Sequence, residues 1–183
     1  NLKDGDLEVD LVTSNTAANF TMTVADPDGT GTFTISDVIS QGDGVGNLII
    51  KGSDGTTTIT VEDNMIDSTG AGEILVQLDD TDILNVEDAG NPDGVGAQTI
   101  EAKIDGIEAG EGELQSGGTA VTYADKIGGN FALKLVDIND GAIFEETVVA
   151  TDITIDDSAV FKGAVTGAID LEGAVDFEAD VTG

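Results

Sequence analysis

Short runs of alternating apolar and polar residues, separated by Asp-, Gly- and Asn-rich breaks, recur along the whole chain. In 6–12, Leu7, Val9 and Leu11 alternate with Glu8 and Asp10. That is the pattern of a half-buried strand whose acidic outer face suits a guarded sheet edge. Phe20, Met22 and Val24 alternate with Thr21 and Thr23, the chain meets Asp26-Pro27-Asp28-Gly29, and Phe33 and Ile35 follow. Pro fixes φ and Gly accepts positive φ, so 19–25 and 32–36 read as a hairpin. Residues 36–41 read as one helical turn, ended by Gly42-Asp43-Gly44. The strands 47–51 and 57–61, joined through Ser53-Asp54-Gly55, give the clearest hairpin signal.

Further on, 62–72 is polar loop, 73–78 and 83–86 are strands, and Asn91-Pro92-Asp93-Gly94 is a turn. Residues 97–107 carry Ile100, Ala102 and Ile104 on one face. The stretch 106–118 (GIEAGEGELQSGG) is the most loop-like and marks an exposed insertion or boundary within a single β-rich domain spanning 1–183. Residues 119–123, 130–138, 142–149 and 151–155 again read as strands. With no heptads or amphipathic helix, the expectation is all-β: an antiparallel β-sandwich, jelly-roll or Ig-like, of roughly ten short strands.

The C-terminal segment 159–183 repeats a loose unit, Gly163-Ala164-Val165 echoed by Gly173-Ala174-Val175. This segment resembles the repetitive strands of bacteriophage fibre and appendage proteins or of β-helical surface proteins, but its simpler and preferred reading is a final hairpin turning at Glu172-Gly173.

Charge narrows the partners. The formal net charge is −31, and the six basic residues are all Lys. Phosphate backbones and anionic membranes need Lys or Arg to replace their counterions, so nucleic acid is excluded as a partner. Self-repulsion of this size points to a saline or divalent-rich medium, marine, halophilic or extracellular. The absence of Cys excludes a disulfide-stapled scaffold, and no apolar run is long enough for a membrane helix. The first residue is Asn1, which suits a processed form.

The stretch 25–38 has a second reading as a calcium loop. Counting Asp26 as position one, oxygen-bearing side chains fall at Asp28, Thr30, Thr34 and Asp37, with Gly31 at position six, where such loops turn sharply. This run resembles the loop of dockerins, which also close on Asp. It departs from that loop where Thr30 replaces an acid and in lacking flanking helices. Calcium is accordingly the one cofactor the sequence suggests.

Catalytic chemistry lacks its parts. Without His, Cys or Arg there is no imidazole base, thiol nucleophile or guanidinium clamp. Carboxylates for glycoside hydrolysis abound, but one Tyr and no Trp leave little to stack on sugars. The acidic clusters Asp4/Asp6, Asp79/Asp80/Asp82, Asp137/Asp140 and Asp156/Asp157 read as solvated surface or hard-cation ligands. Asn19-Phe20-Thr21 is the single glycosylation sequon.

These features point to a non-enzymatic structural subunit of an extracellular or cell-surface assembly: a filament, pilus-like fibre or surface-layer lattice. The subunit pairs with copies of itself through strand edges in the donor-strand manner, with Leu7, Val9 and Leu11 on the pairing strand. A virion decoration or fibre protein and a calcium-dependent adhesive module are the alternatives.

Overall fold

The alternating segments form strands, but each strand's partner lies one full circuit further along the chain. The computed structural model describes residues 12–13, 19–23, 30–35, 39–41, 46–52, 56–67, 72–87 and 97–183. Every strand pairing among the described residues is parallel, as in Phe20 beside Leu48, Phe33 beside Ile59 and Phe161 beside Phe177. The strands build three sheets, and the chain lays a strand on one face, bends onto the next, and returns to the first a circuit later. The architecture is a parallel β-solenoid.

We call the sheets the short, long and aromatic faces. The short face contains Phe20–Thr23, Leu48–Lys51, Ile74–Leu78 and Lys103–Gly106. The long face runs from Thr30–Ile35 through Thr56–Val61, Ile83–Val86, Glu111–Ser116 and Leu133–Ile138. It continues through Val148–Ile155 and Val165–Leu171 to Val181–Thr182. The aromatic face begins with Val12–Thr13, Ile39–Gln41, Met65–Ile66 and Thr99–Ile100. It continues with Val121–Tyr123, Ala142–Phe144, Ser158–Phe161 and Ala174–Phe177.

The antiparallel sandwich of roughly ten strands is therefore corrected to three parallel sheets. The physical reason lies at the corners. Asp/Gly-rich turns look alike in sequence whether they reverse a chain or bend it onto the next face. At Asp79–Asp82 the Asp82 N–H donates to Asp79 O (3.0 Å), closing a tight turn. The strands on either side, Ile74–Leu78 and Ile83–Val86, enter different sheets. The two expected hairpins fail in the same way. Phe20–Thr23 and Thr30–Ile35 lie in different sheets, as do Leu48–Lys51 and Thr56–Val61. The expected helical turn at 36–41 contains the strand Ile39–Gln41. The loop-like 106–118 stretch places Glu111–Ser116 between Ile83–Val86 and Leu133–Ile138. Its inward positions are Gly112, Leu114 and Ser116, too few apolar residues to register as a strand by alternation.

Like residues stack in rows along the interior. On the long face Ile59, Leu84, Leu114, Val136, Ile153 and Ile169 succeed one another. From the short face Ile104 passes to Ile127, Val148, Val165 and Val181. On the aromatic face Tyr123, Phe144, Phe161 and Phe177 stack with centroids 4.8, 4.8 and 5.3 Å apart. That separation is close to the spacing of neighbouring strands, so each turn sets one ring on the last.

The circuit shortens along the chain. An early circuit carries the chain from Phe20 to its partner Leu48, whereas late ones need only the span from Phe144 to Phe161 or from Phe161 to Phe177. The shortening removes corners. In the last circuits one strand serves two faces, with Val148 beside Val165 on one and Ile153 beside Ile169 on the other. The bend is taken up by a register shift between Val149 and Asp152 and, one turn on, by Gly167. Gly167 has φ +152°, and a Cβ there would lie 2.4 Å from the Ala150 carbonyl oxygen.

Candidate functional site

The outward surface and the exposed strand edges are the places where this wall can meet a partner. Outward positions on the long face form rows running along the axis, such as Asn85, Gln115, Asp137, Thr154 and Asp170. Within this row the Thr154 hydroxyl donates to Asp137 Oδ1 and Asn139 Nδ2 to Asp137 Oδ2 (3.1 Å). Carboxylates are thus spaced by neutral hydrogen-bonding residues, which limits repulsion between successive strands.

Three ion pairs occur among the described residues: Lys103–Glu73, Lys162–Glu145 and Lys134–Asp80. The hydrogen bond it donates to Glu73 holds the Lys103 amine above the ordinary lysine range, and the one donated to Glu145 does the same for Lys162. All three pairs bridge circuits, but they are partly or largely exposed, so each adds little to stability.

Asp82 differs. It is fully buried at the corner between the short and long faces. Its Oδ2 accepts from Asp79 N (2.9 Å) and its Oδ1 from Thr57 N (3.3 Å). Burial raises its carboxyl above the usual range, while the two backbone N–H groups pull it down. It fastens one circuit to the next, and the space it occupies is available because residue 52 is Gly. Asp79, Asp80 and Asp82 therefore do not act as one cluster. Asp82 turns inward to the backbone, while Asp80 lies on the surface with Lys134. Among the described residues no group of three or more carboxylates is arranged to hold a metal ion.

Of the candidate calcium ligands, Thr30 and Thr34 belong to one extended strand, beside Thr56 and Thr60. Gly31, expected at the sharp turn, sits opposite Thr57 in that strand. Asp26, Asp28 and Asp37 lie outside the described residues, as do Leu7, Val9 and Leu11 of the expected pairing strand. Asn19 is exposed, and its Oδ1 accepts from Asn47 N (3.0 Å). Asn47 Oδ1 in turn accepts from Glu73 N (3.1 Å), so the sequon asparagine begins a ladder that ties successive circuits together.

Two strand edges expose inward-type residues. Phe20, on the edge strand of the short face, is 48% exposed although it shares register with fully buried Leu48. On the last circuit Leu171 and Val181 are 50% and 45% exposed, while Val175 and Phe177 pack partly against the core. This circuit carries Asp170, Glu172, Asp176, Glu178 and Asp180 and no basic residue.

The repeat behind this arrangement is written in the sequence. An aromatic or Ile residue precedes a β-branched one by four positions in Ile100/Ile104, Tyr123/Ile127, Phe144/Val148, Phe161/Val165 and Phe177/Val181. The segments 136–144, 153–161 and 169–177 align residue for residue, each ending on Phe. The Gly163/Gly173 echo falls out of this register and conceals it. The chain matches no protein-family model, no curated protein and no solved structure.

Proposed function

We propose that the protein is a non-enzymatic structural subunit of an extracellular assembly, a filament, pilus-like fibre or surface-layer lattice, joined through β-strand edges. The observation that carries this reading is the continuous parallel wall. Its interior is committed to stacked rows, its outside is acidic, and among the described residues the long face ends at Val181–Thr182, beside half-exposed Leu171 and Val181. Such an edge is a template for a further strand, whether from a copy or from another component. The narrow repeating circuits at 144–177 favour a virion fibre as the second reading.

The test is negative-stain microscopy of the purified chain, with and without millimolar calcium and after chelation. Regular filaments or sheets are expected, and a chain lacking the segment before Thr13 should stay monomeric. Dispersed particles under every condition would rule out self-assembly. Loss of order on chelation would make calcium part of the joint.

A further inference from the structure

Aspartate followed by glycine is the dipeptide at which a backbone amide most easily closes on the neighbouring side-chain carboxyl, because glycine puts no Cβ in the way. Two such pairs fall among the described residues, Asp105–Gly106 and Asp140–Gly141, and the fold treats them in opposite ways. Asp105 is buried, and its carboxylate oxygens accept from Asn130 N (2.9 Å) and Asn130 Nδ2 (2.8 Å). Gly106 N donates to Phe131 O (3.2 Å). Carboxyl and amide are each held by another group, so neither is free to meet the other.

Asp140–Gly141 is the reverse case. It lies half-buried at the corner that carries the chain from Leu133–Ile138 to Ala142–Phe144. Gly141 N donates to Asp140 Oδ1 at 2.7 Å, which sets the amide nitrogen against the carboxyl group it would attack. The corner is pinned on both sides: Asn139 N donates to Ser116 O (2.9 Å), and Gly141 O accepts from Val121 N (3.2 Å). Holding two reacting groups together removes part of the entropic cost of closing a ring. The same amide-to-carboxylate contact occurs at Asp63–Asn64, Asp79–Asp80 and Asp125–Lys126, where the following residue carries a side chain. Among the described residues only Asp140 combines this contact with a following glycine.

We propose that Asp140–Gly141 is a self-modification site, where the chain closes to a succinimide and reopens to an isoaspartyl linkage. Gly141 N bonds to Asp140 Cγ as a Cγ–O bond breaks, and the amide proton and carboxyl hydroxyl leave as water. Water then adds back. Opening the ring at the former backbone carbonyl routes the chain through Cβ and Cγ, whereas opening it at the former side-chain carbonyl restores aspartate. Nothing is oxidised or reduced. The product lengthens the corner by one backbone atom, and the neighbouring circuit already holds a longer turn at this level. Ser116 and Tyr123 pair with Ile138 and Phe144 but stand one residue further apart, with Ala120 at φ 63° between them.

The experiment incubates the intact chain for weeks at near-neutral pH, both native and in guanidinium. Its peptides are then mapped by electron-transfer fragmentation, which separates isoaspartate from aspartate. In the native chain isoaspartate should accumulate at residue 140 several-fold faster than at residue 105, whereas in guanidinium the two sites should react alike. Asp140→Glu should abolish the signal at that position and leave Asp105 unchanged. A native chain that stays unmodified at residue 140 would overturn the proposal, because the corner would then block ring closure. Equal accumulation at both sites in the native chain would overturn it too, because the dipeptide and not the fold would set the rate.

Discussion

The wide early circuits and the narrow late ones solve the same problem with different fillings. Around Ile59 and Leu84 three separate strands enclose a lumen packed with Ile, Leu, Val and Met. Around Phe161 one strand covers two faces, and a column of flat rings fills what remains. Shortening the circuit takes out corners and leaves the rows intact, because each inward side chain needs only a similar one above and below. Girth is thus tuned by corner length, and interior chemistry follows it.

The largest expected effect comes from breaking the ring column. Phe161→Ala removes a fully buried ring stacked on both sides and should cost about 3–5 kcal/mol, read from the denaturation midpoint. Leu84→Ala in the wide half should cost about 2–4 kcal/mol, since neighbouring aliphatic side chains can relax into the space. If Leu84→Ala proves the more damaging, the rings are not what hold the narrow circuits.

Next in size is the corner. Gly167→Ala forces a Cβ against the Ala150 carbonyl in a conformation L-residues rarely adopt, and a loss of about 1–3 kcal/mol is expected in the same melts. An unaltered midpoint would mean that the fused strand bends elsewhere.

The smallest effect is a pH slope. The folded Asp82 carboxyl titrates above its unfolded value, so the folded state binds the proton more tightly. The stabilisation is fully present below the unfolded carboxylate range and is lost as pH rises through the raised folded value. Acidification from neutrality should therefore raise the melting temperature less steeply in Asp82→Asn than in the native chain. Identical slopes would show that the other carboxylates account for the whole pH response.

Strand positions were legible because a parallel and an antiparallel strand share the same two-residue alternation; Leu48–Lys51, Ile74–Leu78 and Ile83–Val86 fall where their sequence puts them. Pairing was not legible from local signals, since Asp79–Asp82 obeys the same turn chemistry at a solenoid corner as in a hairpin. It required comparing positions a full circuit apart, where Phe144, Phe161 and Phe177 line up. Glu111–Ser116 escaped because its inward positions include Gly112 and Ser116. The inward turn of Asp82 had no sequence signature separating it from Asp79 and Asp80.

The all-parallel topology also bears on how the chain reaches its fold. Among the described residues no strand pairs with the one next to it in sequence. Even the tightest circuits, such as Val165 to Val181, carry the chain right round the wall before a pair forms. The first circuit must therefore lose most of its chain entropy before any sheet contact rewards it, a high contact order at the nucleus. Every later circuit adds to a surface already formed, as a molecule adds to a growing crystal face. Initiation is slowed relative to elongation, each finished circuit of the chain being the surface on which its next circuit forms.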